Sequence, residues 1–522
     1  MTLRIGLDLD NTIINYDRAF LLAARERGLV DPGFTGSKQQ VRDHIRAASK
    51  DGETEWQKLQ GYVYGKGILQ AELFDGVAAF LERAHQAGAR MHIVSHKTQF
   101  GHYDPDKIDL REAALRFLEQ NGVLIHIPRE EVFFFTTRDE KIAKIKALGC
   151  DVFVDDLEEV LGDPAFPAAT RKILFSSLSK VHGASTCSDW ADIARCVFEE
   201  NPTFIASSLL GFKADRVTLA GGGGNSRIYR VEAKGKHYAL KMYPPAGNDK
   251  RDRLGVEKQT LQFFERNGIA QAPRWLGDKP GYGLLSWVEG TLANPPLPGE
   301  IDQAADFIET IHRLSALPEA KSFPPASEAC TSGEEILRQI VRRFARLEEA
   351  AAIEPLLREF LNDRFNPALT HLEAQARAAY ALDSVLDEGK CLIPADFGFH
   401  NAIRGSDGRL TFIDFEYFGW DDPVKLIADF LLHPAMRLEP ADSARLRERA
   451  CTIFGGDPGF ALRLRALKPL FALRWTLILL NEFLPERWSG RAFARGENEW
   501  AAAKERQLAK ATQMLARASL EE

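Results

Sequence analysis

The feature that most constrains this chain is a change of rhythm along it. From residue 1 to about 200, short apolar β-rich runs alternate with amphipathic helical stretches. The expected strands are Arg4–Leu9, Arg90–Val94, Val132–Phe135, Val152–Val154 and Lys172–Phe175, and the expected helices include Val77–Gln86, Leu110–Gln120 and Lys141–Leu148. Such alternation predicts a parallel, doubly wound α/β sheet. One interruption, about residues 15–74, is mostly helical and rich in charge and aromatics, and it reads as a cap over the carboxyl edge of the sheet. Residues 176–210 read as a serine-rich loop with a helix near Cys196. After a boundary near residue 200 the pattern becomes an antiparallel meander: Arg216–Leu219, Ile228–Glu232, a tight turn at 233–236, and His237–Met242. The remainder, from about Ala304, is mainly helical. The chain therefore divides into 1–200 and 201–522, the second part with a small β lobe (about 205–290) before a helical lobe (about 291–522).

Composition narrows the function classes. Of 522 residues, 45% are hydrophobic and 27% charged, which is the balance of a folded globular chain with room for a core in each part. A net charge of −7 argues against a dedicated nucleic-acid surface. The six cysteines are scattered with no CxxC, as expected for free thiols in a reducing compartment. No apolar export segment follows Met1, and the stretch Leu467–Leu484 is interrupted by Lys468, Pro469, Arg474 and Glu482, so it reads as a buried helix. The expectation is a cytoplasmic protein with small-molecule partners, no nucleic acid and no membrane.

The run Ile5-Gly6-Leu7-Asp8-Leu9-Asp10-Asn11-Thr12 sets two carboxylates two residues apart at a strand end. Positions i and i+2 of a strand point the same way, and the carboxyl ends of open α/β strands are where ligands bind. Paired carboxylates call for a cation or a shared proton. One such pair is equally a solvated strand exit. Three further features come in order: Ser95 after a strand, Lys141 opening a helix, and Asp155-Asp156 at the tip of another strand.

Together these features resemble the haloacid dehalogenase-like (HAD) phosphatases across about residues 1–200, a Rossmann-like fold with a helical cap. The resemblance implies Asp8 as nucleophile forming an aspartyl-phosphate, and Asp10 as proton donor to the leaving group and then base for water. It implies Mg²⁺ held by Asp8, the Asp10 carbonyl and Asp155, with Asp156 supporting. Thr12, Ser95 and Lys141 are the implied phosphate contacts, with Lys144 a rival for Lys141. His96, Lys97 and His102 stand near the site, either as substrate contacts or as plain loop polars. Trp56, Tyr62 and Tyr64 either close over substrate or form the core of the cap.

The second half carries its own constellation. Gly221–Gly224 with Asn225-Ser226 lies between two strands, as a phosphate-approaching hairpin or simply a flexible one. Lys241 sits on the third strand, and Glu257 follows on a helix. Then come Asp396, with Asn401 five residues later, and Asp414 in Ile413-Asp414-Phe415-Glu416-Tyr417. A base and two metal ligands converging on nucleotide phosphates have this order.

This half resembles the aminoglycoside phosphotransferase/choline kinase-like family across about residues 205–520, a bilobal, protein-kinase-like α+β fold. The resemblance implies Asp396 as catalytic base, Asn401 and Asp414 as Mg²⁺ ligands, and Lys241, held by Glu257, on the α/β-phosphates. Gly222, Gly223, Gly224, Asn225 and Ser226 would cover the nucleotide, and Leu285 to Val288 would form the hinge against adenine. ATP is the implied donor, with GTP as an alternative. Glu416 is assigned to metal or substrate. The chain departs from the family pattern at Pro394 and Gly398, where histidines are usual. The Asp414–Tyr417 segment leans towards the choline and ethanolamine kinase branch.

The function expected is a bifunctional phosphatase and kinase acting on a sugar, polyol or amino alcohol and its phosphates. An antibiotic-modifying kinase with an accessory phosphatase domain, and a non-catalytic nucleotide-binding regulator, are the alternatives. Arg338, Arg342, Arg343 and Arg346 read either as an anion site or as a solvated helix face.

Overall fold

Main-chain pairing in the computed structural model follows the two rhythms. The structure describes residues 3–48, 50–177, 180–222, 226–244, 251–386, 388–436, 438–484 and 500–518. The chain splits into two compact units, Met1–Ala214 and Asp215–Glu522. Against the boundary expected near residue 200, the helix Pro202–Leu210 thus falls in the first unit.

The first unit is built on a six-stranded sheet in the order Val132–Phe135, Arg90–His96, Arg4–Leu7, Val152–Asp155, Arg171–Phe175, Ala184–Cys187. Every neighbouring pair is parallel. A parallel sheet is covered on both faces, so its strands read as nearly continuous apolar runs. Alternate residues divide between two cores. Ile93, Val152, Val154 and Ile173 pack with Phe80 and Phe117 on one face. Val94, Phe153 and Leu174 pack with Ile142 and Ile145 on the other. Gly6 lies beside Phe153 in the sheet, and a Cβ there would sit 2.4 Å from the Phe153 ring. The central strand therefore has no room for a side chain at that position.

The serine-rich stretch read as loop contains the sixth strand, Ala184–Cys187. Only its last residue is buried, so this edge strand carries almost no apolar signal. The insertion after the first strand is tied at its stem by an antiparallel pairing of Ile14–Asn15 with Glu72–Leu73. Its helices are Asp17–Glu26, Lys38–Ala48 and Gly52–Tyr64. Trp56 stacks on Phe20 at 4.8 Å and belongs to the core of the insertion.

The second unit opens with a five-stranded antiparallel sheet in the order Trp275–Lys279, Tyr282–Ser286, Lys236–Met242, Arg227–Ala233, Arg216–Gly222. A mainly helical part follows. Phe307 stacks on Phe412 at 4.5 Å and on Phe397 at 5.6 Å, fixing the segments on either side of Asp396 and Asp414 to the helix Glu300–Leu314. The helix Pro423–Leu432 is buried along its whole length, and its two charged residues, Lys425 and Asp429, lie one turn apart and pair at 3.4 Å. Leu467–Leu479 falls within the largely buried helix Phe460–Leu479. Among the described residues no helix is long and apolar enough to cross a membrane.

Gly6→Ala is expected to destabilise the first unit by about 1–3 kcal/mol through overpacking. Hydrogen–deuterium exchange should show faster exchange in Val152–Asp155 of the variant, with the second unit unchanged.

Candidate functional site

In the first unit the Asp8 N–H donates to the Val154 carbonyl at 2.9 Å, which carries the pairing one residue past the strand Arg4–Leu7. The chain then turns at Asn11, whose φ is +60°. Asp8 and Asp10 consequently line the same chamber, of about 400 Å³. Lys141 comes from the first turn of the helix Arg138–Leu148, fixed by a capping box between Thr137 and Glu140. Its ammonium is buried and donates to Asp8 Oδ1 and to Asp155 Oδ2, each at 2.6 Å. Lys144 instead lies over the Phe133 ring at 3.7 Å. Asp10 belongs to a different lysine: Lys97 donates to both of its oxygens at 2.7 and 2.9 Å, and the Tyr16 hydroxyl donates at 2.7 Å.

The carboxylates respond to these partners. Asp8, Asp155 and Asp156 bring oxygens within 4.8 Å of one another around a single contacting lysine. Burial, with the neighbouring carboxylates, holds Asp8 well above the ordinary range against the pull of Lys141. Burial, with the Asp155 charge, pushes Asp156 up to about 7. Burial also pushes Asp10 upward, but Lys97 and the Tyr16 hydroxyl outweigh it, and Asp10 is held low. Three hard oxygen donors with too little positive charge fit a cation such as Mg²⁺. Ser95 is buried, lines the chamber and has a hydroxyl with no hydrogen-bond partner, as a phosphate contact requires. Thr12 is fully buried and does not line the chamber; its carbonyl accepts from Trp190 Nε1 at 3.1 Å.

Of the aromatics expected at the cap, Tyr64 lines the chamber. Tyr62 stacks under the Arg27 guanidinium at 4.1 Å instead. Tyr16 and Lys38 are residues that the sequence reading passed over. Lys38 reaches from the insertion to Asn11 Oδ1 and to the Tyr64 hydroxyl, both at 2.9 Å.

In the second unit Lys241 is buried on the middle strand of the sheet. Its ammonium lies 2.6 Å from Glu257, 2.5 Å from Asp414 and 3.1 Å from Glu416. Glu257, on the helix Arg253–Arg266, also accepts from the Tyr243 hydroxyl at 2.7 Å and the Phe415 N–H at 3.2 Å. These bonds hold Asp414 at a φ of +70°, a region that non-glycine residues seldom occupy. Burial pushes the Asp414 carboxyl up to about 6 against Lys241, and Glu257 and Glu416 add to the rise. Glu416 is further tied to Arg253 at 2.9 Å and to the Ser226 hydroxyl at 3.1 Å.

Asp396 Oδ1 lies 3.1 Å from His400 Nε2, and His433 stacks on His400 with ring centroids 3.9 Å apart. Burial raises Asp396, but the hydrogen bond and charge of His400 prevail and hold it below the ordinary range. The Asn401 amide donates to the Asp396 carbonyl at 2.9 Å, and its own carbonyl accepts from the Ile413 N–H at 2.9 Å, bringing Asn401 next to the Asp414 segment. Gly398 explains one departure from the family pattern. A Cβ there would meet Met436 Sδ at 2.7 Å and His400 Nδ1 at 2.9 Å, so His400 occupies the space beside Asp396 that a side chain at 398 would need. His400 and His433 were not singled out from the sequence; His400 stands only four residues after Asp396, whereas His433 reaches the pair only when the helix ending at Leu432 is packed.

Not every expected residue joins these groups. Gly222 ends its strand paired with Arg227, while Gly223, Gly224 and Asn225 lie outside the described residues. Leu285 packs into the core of the unit and Val288 is half-buried beyond its strand. Arg338 and Arg342 pair with Glu335, and Arg343 pairs with Glu328, so these three line a charged helix face. The six cysteines are free thiols.

Residues 216–465 match the sequence model of the phosphotransferase enzyme family, APH. The second unit therefore carries a phosphotransferase-family domain, and Lys241, Glu257, Asp396, Asn401 and Asp414 all fall inside it. Among solved structures the chain is similar to the choline kinase LicA from Streptococcus pneumoniae, with 18% identity, 62% of this chain and 99% of that one covered, and a TM-score of 0.39. It is similar to a Plasmodium vivax ethanolamine kinase, with 12% identity, 64% and 96% covered, and a TM-score of 0.41. The ADP-bound aminoglycoside phosphotransferase APH(2'')-Ib gives 13% identity, 60% and 98% covered, and a TM-score of 0.40. No curated protein matches the chain.

The Asp156 environment sets a pH dependence. Unfolded, this carboxyl titrates at its ordinary 3.8; folded, at about 7. Between those values the folded chain binds a proton that the unfolded chain lacks, so this group lowers stability as pH rises through the interval. In protein stripped with EDTA, Asp156→Asn is expected to raise the melting temperature of the first unit at about pH 8, with the gain shrinking towards about pH 5. Calorimetry across that range checks it.

Proposed function

We propose that the chain is a bifunctional enzyme: an HAD-type phosphomonoesterase in the first unit and an ATP-dependent small-molecule kinase in the second. The observation that carries the reading is the same in both units. A buried lysine is clamped between carboxylates from separate segments, beside a further aspartate that lies outside the clamp.

In the phosphatase, Asp8 attacks phosphorus and holds the phosphoryl group as an acyl phosphate until water releases it. Lys141 and the Ser95 hydroxyl contact the phosphate oxygens. Asp10, held as a carboxylate by Lys97 and Tyr16, is ready to take a proton from the attacking water. Protonation of the leaving oxygen in the first step requires Asp10 to be released from Lys97. Asp8, Asp155 and the Asp10 carbonyl, with Asp156 supporting, would hold Mg²⁺, which supplies charge neutralisation at the phosphate.

In the kinase, Asp396 accepts the proton of the acceptor hydroxyl, and His400 orients its carboxylate. Lys241 contacts the α/β-phosphates of ATP under the hold of Glu257. Asn401 and Asp414 would hold Mg²⁺ on the phosphates. Lys241 is shared among Glu257, Asp414 and Glu416, so the incoming nucleotide draws the lysine from one set of anions to another.

The test is ³¹P NMR of the full chain with Mg²⁺-ATP and a pool of sugars, polyols, amino alcohols and their monophosphates. Asp396→Asn is expected to slow ATP-dependent phosphorylation by roughly 10²–10⁴-fold. Asp8→Asn is expected to keep that step and lose phosphate release. A bisphosphate accumulating in Asp8→Asn, which wild type converts to a new monophosphate, marks sequential action. A monophosphate that wild type returns to the free compound marks opposing action. ATP binding with no phosphoryl transfer in any sample would overturn the enzymatic reading.

A further inference from the structure

The chamber of the first unit has a wall that the phosphatase chemistry leaves unused. The helix Gly52–Tyr64 carries two stripes. Trp56, Leu59 and Val63 face the core of the insertion and are buried. Gln57, Gln60, Gly61 and Tyr64, at i, i+3, i+4 and i+7, form the other stripe, and all four line the chamber. A polar stripe on such a helix normally faces open water; this one is turned onto Asp8, Asp10 and Ser95 across a half-open chamber. The helix is pressed against the loop after the strand Arg90–His96. A Cβ on Gly101 would lie 2.7 Å from the Gly61 Cα, and one on Gly61 would lie 3.2 Å from the His102 carbonyl oxygen. Two glycines thus set the helix at backbone contact and bring its amides within reach of whatever is attached to the phosphate.

The chemistry of that wall is selective. Apart from its aspartates and lysines, the lining offers the amides of Gln57, Gln60 and Asn11, the Thr98 hydroxyl and the imidazoles of His96 and His102. Leu110 and Leu157 are its aliphatic side chains, and the Tyr64 ring is occupied edge-on by Tyr16 at 4.8 Å. The volume of about 400 Å³ is near the small end of the roughly 300–1,000 Å³ range of ligand chambers.

Charge narrows the choice further. Among the described residues, the lining carboxylates are Asp8, Asp10 and Asp156. Asp8 is matched by Lys141, Asp10 by Lys97, and Asp156 belongs to the oxygen cluster read above as a cation site. A substrate ammonium would find no uncommitted carboxylate and would meet Lys97, with Lys38 immediately behind Asn11 and Tyr64. A cation brought part-way out of water without a partner is disfavoured.

We infer that the first unit takes small phosphate monoesters of neutral or anionic polyhydroxy compounds, with Gln57 and Gln60 binding their hydroxyls, and rejects phosphate esters of cationic amino alcohols. The inference rests on the phosphatase reading and deepens it.

The test measures kcat/KM for phosphate release by the full chain with Mg²⁺, using p-nitrophenyl phosphate, glycerol phosphate, hexose phosphates, phosphocholine and phosphoethanolamine. At least one polyhydroxy ester is expected to exceed both amino-alcohol esters by tenfold or more. Gln57→Leu with Gln60→Leu is expected to lower the ratio of kcat/KM for that ester to kcat/KM for p-nitrophenyl phosphate about tenfold. Gln60→Glu supplies the missing carboxylate and is expected to raise the relative rate with phosphoethanolamine, which keeps the test open if the double variant does not fold. Preference of wild type for phosphocholine or phosphoethanolamine, or an unchanged ratio in both variants, overturns the inference and leaves the phosphatase standing. Absence of Asp8-dependent release from every ester, p-nitrophenyl phosphate included, overturns the phosphatase reading itself.

Discussion

Both units depend on one device, a buried ammonium shared between carboxylates that the chain supplies from far apart. Lys141 joins Asp8, 133 residues away, to Asp155. Lys241 joins Glu257 to Asp414, 173 residues away. Isolated, any of these charges would be prohibitively costly inside the protein. Together they are tolerable, though burial, with the neighbouring carboxylates, outweighs the lysines and keeps Asp8, Asp156 and Asp414 above their ordinary range. The strand ends that meet at these lysines are therefore pinned in place by charge while still having a reason to accept more of it.

The two sites differ in how their remaining aspartate is kept. Asp10 is gripped by a cation and a phenol, so its charge is fixed until something displaces Lys97. Asp396 is touched by an imidazole stacked on a second imidazole, a softer arrangement. Burial, with His400 beside it, lowers the His433 pKa to about 4.

Much of the fold was legible because it is written in short-range pattern. The helices Val77–Gln86 and Leu110–Gln120 start and stop where their periodicity does. The stretch around Asp8 was legible because a strand period of two forces Asp8 and Asp10 towards one place. The edge strand Ala184–Cys187 was not, because a strand with little buried surface leaves no hydrophobic trace. Lys97 is named in the sequence, but its hold on Asp10 spans 87 residues, and nothing local distinguishes it from an ordinary loop lysine. The same is true of His433, which reaches His400 from 33 residues further along the chain. The lobe hairpin was visible as a glycine run, whereas Leu285 shows how a strand residue expected at a ligand turns inward once Trp275 and the sheet register are in place.

The stem of the insertion has an evolutionary consequence. Ile14–Asn15 and Glu72–Leu73 close on each other as a pair of short strands, so the helical segment leaves the sheet and returns to it at nearly one point. The part of the chamber wall that the insertion supplies, Gln57, Gln60, Gly61 and Tyr64, can be exchanged above that joint, while the strands below keep their register and Asp8 and Asp10 their positions. Such a segment can be inherited, shortened or replaced as a cassette.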